Sequence, residues 1–124
     1  MLLAVKSARR SDMSQRSSKY GKLVRDGIPA IIRKNGEEPI TTVLSSRELK
    51  WALFEKLIEE AVEVRKATSH KKLVEELADV EEVLSEICKF HRISTKEVFT
   101  AQVKARKERG GFKGAIFLEG VRKK

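Results

Sequence analysis

The chain has 124 residues, of which 40% are hydrophobic, 36% are charged and 2 are proline; this is the size of one globular domain and excludes collagen-like, low-complexity and wholly disordered classes. Its longest apolar run, about five residues around Ile28 to Ile32, falls far short of the roughly 18 that span a bilayer, so no membrane partner is expected. The net charge of +9 sits at the ends, with +4 over residues 1–19, +6 over 104–124 and −1 between them, which suits a phosphate site with an acidic centre and a basic edge better than a nucleic-acid groove.

Residues 1–19 hold five serines and five basic residues without sustained periodicity, and read as a mobile basic tail. A domain over 20–119 follows, and a short basic tail closes the chain at 120–124. Asp26 is placed to cap a short helix that tolerates Pro29 in its first turn and stops at Asn35-Gly36. Ile40 to Leu44 (ITTVL) has the composition of a strand. Ser45 with Glu48 forms a capping box for a long helix over about Ser46 to Ala67. The polar break Thr68-Ser69-His70 leads into a second long helix over about Lys71 to Phe90, and a break that short makes the two helices antiparallel neighbours. A lone Cys88 without any CxxC pair fits an intracellular, cytoplasmic chain. Ser94 and Glu97 are a second capping box, opening a third helix that ends at Gly110-Gly111. Ala115 to Leu118 (AIFL) is apolar enough to pair with ITTVL as a small two-stranded element.

Helical periodicity then separates the acids that face water from those that do not. At about 100° per residue, Leu49, Leu53, Leu57, Val64 and Ala67 of the first long helix share an arc of about 80°; Glu60 falls inside it and Glu63 at its flank. On the second, Leu73, Leu77, Val80, Val83, Leu84 and Ile87 form the apolar arc, with Glu76 between Val83 and Ile87 and Asp79 beside Phe90. Four carboxylates therefore converge from facing helices. Each ionised carboxylate in an apolar setting costs several kcal/mol unless it is paired, so the group needs protons, basic partners or a cation. An all-oxygen set suits Mg2+ or Mn2+, whereas zinc would draw on Cys or His; His70 and His91 lie at helix ends and read as surface residues. The alternative is an ion-pair network in which Lys56, Arg65 or a base from another helix answers Glu60 and Glu76.

These acids read Glu59-Glu60-Ala61-Val62-Glu63, twelve residues, then Glu76-Leu77-Ala78-Asp79, that is, EExxE followed by ExxD. With YGKLVRDGIPAIIRKNG at 20–36, KLIEEAVEV at 56–64, EELADVEEVL at 75–84 and KERGGF at 107–112, the pattern covers about residues 20 to 118. It resembles the MazG-like, all-α nucleoside triphosphate pyrophosphohydrolase superfamily, in its small single-domain branch. The resemblance implies an all-α fold in which an antiparallel helix pair and a third helix form a four-helix-type bundle on oligomerisation as a homodimer or homotetramer. It also implies Mg2+-dependent cleavage of nucleoside triphosphates, non-standard or surplus ones, between the α- and β-phosphates, giving a monophosphate and pyrophosphate. By position, Glu60, Glu63, Glu76 and Asp79 correspond to the metal ligands. Glu59 is the candidate acceptor of the attacking water's proton, and Lys22, Arg25, Lys104, Lys107 and Arg109 are candidate phosphate contacts. The last helix departs from its relatives at 101–107 (AQVKARK), where they often carry an Asn and a Lys-Phe pair.

Two other functions compete. Phosphoribosyl-ATP pyrophosphohydrolase of histidine biosynthesis shares the helix pair and acidic motifs, although the YGKLVRD opening and KERGGF ending argue against it. A non-enzymatic nucleic-acid-binding or regulatory module would use the basic tails, but only Phe112 and Phe117 interleave with them, a poor stacking platform. Finally, Trp51, Phe54, Ile58 and Val62 form a second apolar stripe opposite the Glu60 face; one antiparallel neighbour cannot cover both, so a second copy of the chain is the expected partner.

Overall fold

The computed structural model describes residues 21–124; the expected tail over 1–19 lies outside them. Four helices follow in order, α1 (Ile28–Lys34), α2 (Ser46–Lys66), α3 (His70–Phe90) and α4 (Thr95–Arg109), and no strand occurs among the described residues, so the chain is all-α. No helix among these residues is long and apolar enough to cross a membrane.

Helix boundaries follow local chemistry closely. Ser45 accepts from the Glu48 amide while Glu48 accepts from the Ser45 amide, and Ser94 with Glu97 repeats this reciprocal box at the head of α4. Ser69, which the sequence places inside a polar break, caps α3 by accepting from the Lys72 amide, and so draws His70 into the helix. Asp26 is no cap. The residue before α1 is Gly27, without a side-chain cap, because a turn closed by the Ile28 amide on the Arg25 carbonyl starts the helix one residue later than an Asp26 cap requires.

Two helices end alike. After α1 the Gly36 amide returns to Arg33 and the Glu37 amide to Ile32; after α3 the Arg92 amide returns to Lys89 and the Ile93 amide to Cys88. Both endings need one left-handed residue. Gly36 adopts φ 88° without penalty, whereas Arg92 adopts φ 55° with a side chain in place.

The only helix pair in extensive contact among the described residues is α2 with α3. It is antiparallel: Phe54 near the start of α2 stacks on His91 at the end of α3, with ring centroids 5.8 Å apart, while Glu60 further along α2 meets Asp79 and Glu76. The line of contact differs from the expected apolar arcs. Leu53 and Val83 are the only buried apolar residues described, and Glu59, Glu60 and Glu76 are buried beside them. Leu73, Leu77 and Leu84, expected in the core, remain 37%, 47% and 40% exposed. The apolar arc of α3 is wider than one neighbouring helix can cover, and α2 takes the Glu76–Val83 side of it.

The two segments expected to pair as strands do not. Ile40, Val43, Ile116, Phe117 and Leu118 are all at least three-quarters exposed, and no backbone ladder joins the two stretches. Strand composition supplies no partner by itself, and nothing among the described residues brings the two segments together. Helix α4 buries no residue, and every residue from 106 onwards is exposed.

Candidate functional site

The site grows from the register of the α2–α3 pair. Glu59 and Glu60 lie mid-way along α2, and Glu76 and Asp79 lie one turn apart on α3. Antiparallel packing sets these levels against each other, so one carboxylate oxygen from each of Glu60, Glu76 and Asp79 comes within 4.8 Å of the other two. Glu60 and Glu76 are 8% and 7% exposed and Asp79 is half-buried. Glu63 is half-buried one turn further along α2 and is not among the converging oxygens. It lies towards the α2–α3 connection, where its charge is felt by Lys72.

Four cations surround these acids. Lys56 donates to Glu59 Oε1 at 3.2 Å and lies 3.4 Å from Glu60 Oε1. Lys22 lies 3.4 Å from the same Glu59 oxygen. Arg25 donates from Nη2 to Asp79 Oδ1 at 2.8 Å, tying the segment before α1 to α3 across 54 residues of sequence. Lys72 Nζ lies 3.2 Å from Glu76 Oε1. Lys56 as partner of Glu60 belongs to the ion-pair alternative raised by the sequence, whereas Lys72 was not singled out there although it shares the face of Glu76 and Asp79. A further signal for Lys72 is its i, i+4 spacing before Glu76.

Burial pushes the Glu60 carboxyl above its ordinary value, with Asp79 and Glu59 adding to the rise and Lys56 opposing it. The Lys72 ammonium is raised by its hydrogen bond and charge interaction with Glu76, then by Glu75, with Glu63 a smaller contributor.

The donor set fits a hard divalent cation. It offers only carboxylate oxygen, from two helices, in a partly dry setting, with one oxygen of each residue within 4.8 Å of the other two, and oxygen-only sets are those that magnesium and manganese favour. Glu60, Glu76 and Asp79 would hold such an ion, with Glu59 buried beside them.

Of the expected phosphate contacts, the structure brings Lys22 and Arg25 to the acids. Lys104 lies 3.9 Å from Glu108 along α4, and Lys107 and Arg109 occupy the last turn of that helix. Because α4 does not pack extensively on the α2–α3 pair, these three bases stand apart from the cluster in the single chain.

The profile of the phosphoribosyl-ATP pyrophosphohydrolase family matches residues 20–107, spanning the segment before α1, the helix pair and most of α4. Comparisons with curated proteins and with solved structures returned no match. The chain belongs to the phosphoribosyl-ATP pyrophosphohydrolase family, part of the MazG-like all-α nucleoside triphosphate pyrophosphohydrolase superfamily.

Proposed function

From this membership, which makes the chain a nucleotide pyrophosphohydrolase, we propose that it hydrolyses nucleoside triphosphates, non-standard or surplus ones, at the bond between the α- and β-phosphates. Water adds to phosphorus, the bridging P–O bond breaks, and nucleoside monophosphate and pyrophosphate leave. The observation that carries this reading is the buried convergence of Glu60, Glu76 and Asp79 from two helices of a chain in this family.

A bound Mg2+, or Mn2+ in its place, supplies neutralisation of phosphate charge and acidifies a water for attack. Glu60, Glu76 and Asp79 would hold the ion, with Glu63 as the fourth candidate ligand. Glu59 accepts the proton of the attacking water; Lys22 and Lys56 both address its Oε1 and fix the carboxylate's orientation. Lys22, Arg25, Lys104, Lys107 and Arg109 orient the phosphate chain and offset the charge that the metal leaves uncancelled. The three bases of α4 reach the site only when that helix is packed, which ties activity to assembly.

That assembly is a homodimer or homotetramer in the cytoplasm. Among the described residues two buried apolar side chains are too few to stabilise a helical domain, while Trp51, Ile58, Leu73, Leu77 and Leu84 are exposed on the α2–α3 pair. A second copy covers these faces and completes a four-helix bundle.

The family description favours one further reading, phosphoribosyl-ATP as the substrate. Pyrophosphate release from a panel of nucleoside triphosphates and phosphoribosyl-ATP, each with and without Mg2+, separates the two. Release from several triphosphates supports the first reading, turnover of phosphoribosyl-ATP alone replaces it with the second, and no Mg2+-dependent release from any of them refutes both.

A further inference from the structure

Exposure distinguishes two kinds of cation around the acids. Among the described residues, Lys22, Arg25, Lys56 and Lys72 each lie within 3.4 Å of a carboxylate oxygen of Glu59, Glu60, Glu76 or Asp79. A divalent ion placed among these acids would add two positive charges and compete with these cations for the same oxygens. The side chains of Lys56 and Lys22 are only 15% and 26% exposed; both point at Glu59, which lies outside the converging oxygens, and Lys56 also lies 3.4 Å from Glu60 within them. Lys72 and Arg25 are each 57% exposed, and their partners Glu76 and Asp79 are within the converging group. These two cations are free to rotate into solvent, and they hold the very oxygens a metal would take.

Lys72 also breaks a local rule. Helix α3 opens His70-Lys71-Lys72 with no acidic residue in its first turn, whereas α2 and α4 both place a glutamate there. Positive charge at that end works against the helix dipole, so helix stability does not account for it. A cation held beside an anionic ligand does.

We infer that Lys72, with Arg25 as its companion, is an exchangeable counter-ion that sits on the acids when the site lacks metal and passes to the substrate's phosphates when a divalent cation takes Glu76 and Asp79. The inference rests on the proposed metal-dependent hydrolysis and assigns a substrate contact to a residue that the motifs do not mark. Binding of metal and triphosphate is then coupled through charge: the metal releases the cations, and the released cations favour the phosphates.

The test measures binding, not turnover. Mn2+ affinity of the full chain is measured without nucleotide, and affinity for an α,β-imido nucleoside triphosphate is measured with Mn2+ present, in wild type, Lys72→Gln, Lys72→Arg and, as a control for net charge, Lys89→Gln. Lys89 forms a comparable exposed pair with Glu86 at 3.3 Å on the same helix. In Lys72→Gln, Mn2+ alone should bind more tightly, by about threefold or more, because its competitor is gone, while the triphosphate analogue should bind about tenfold more weakly. Lys72→Arg should restore the analogue, and Lys89→Gln should change neither. These opposite signs separate exchange from a structural role. Loss of both affinities would make Lys72 a structural partner of Glu76, and tighter Mn2+ with unchanged analogue binding would make it a competitor only; each overturns the inference while leaving the metal site standing. Failure of wild type to bind Mn2+ at all would instead overturn the metal-site reading, and this inference with it.

Discussion

The acidic centre and the basic edge are built by different physics. Glu60, Glu76 and Asp79 come from two helices joined by a break too short to allow anything but an antiparallel return, so their convergence is a property of one chain. Lys104, Lys107 and Arg109 lie on α4, which has a capping box and a glycine stop but no buried residue. Secondary structure there is local, whereas position depends on what the helix packs against. One half of the proposed site is therefore intramolecular, and in the proposed assembly the other half would be placed by a second subunit.

The largest effect should come from the acidic half. Glu76→Gln removes one ligand and leaves Lys72 without its partner, and hydrolysis should fall by about three orders of magnitude. In wild type, millimolar Mg2+ or Mn2+ should raise the melting temperature because the ion binds only the folded chain; Glu76→Gln should lose most of that gain. Equal melting with metal and with chelator, or retained activity in Glu76→Gln, would break the acidic half of the comparison.

The next effect concerns assembly. Ile58 is 64% exposed on the stripe opposite Glu60, so Ile58→Lys should dissociate the oligomer by placing a charge in an apolar interface, at a cost of roughly several kcal/mol. Sedimentation reads it directly, and a wild type that sediments as a monomer at micromolar concentration contradicts the assembly reading. If α4 acts only in the assembled state, activity should fall in parallel with dissociation.

Lys104→Ala and Arg109→Ala should fold and assemble normally and lose roughly ten- to a hundredfold in kcat/KM, since each removes one charge-assisted phosphate contact. A lowered melting temperature in place of lowered activity would instead make them partners of the acids.

The smallest effect is a pH dependence. The Glu60 carboxyl is raised, chiefly by burial, so the folded chain holds its proton more tightly than the unfolded chain. That contribution favours the fold below the ordinary glutamate value and is lost as pH rises through the raised one. Metal needs the ionised carboxylate, so the melting-temperature gain from Mn2+ should grow with pH over the same interval. A gain that is flat with pH would place Glu60 outside the metal's coordination.

Helix ends were the most legible feature. Ser45 and Ser94 with their glutamates, and the stops at Gly36 and Gly110, are contacts within a few residues, so sequence spacing suffices to find them. Ser69 was missed as a cap because no glutamate stands three residues after it, and Asp26 was over-read because a turn displaced the helix start. The helical wheel placed Glu60 and Glu76 on inward faces but set the centre of the α3 face too near Leu77. A wheel reports which side is apolar and not how much of that side one neighbour can reach.

By itself, then, the sequence determined the four helices, the antiparallel pair and the membership of acids in its buried side, since these follow from hydrogen-bond spacing, the 3.6-residue period and a short connection. Only the tertiary structure decided that Glu63 stands outside the converging oxygens, that Arg25 occupies Asp79, and that ITTVL and AIFL stay apart. Those outcomes depend on the rotation of α2 against α3 and on contacts between residues far apart in the chain, which are set by side-chain packing and charge in three dimensions and leave no periodic trace in the order of residues.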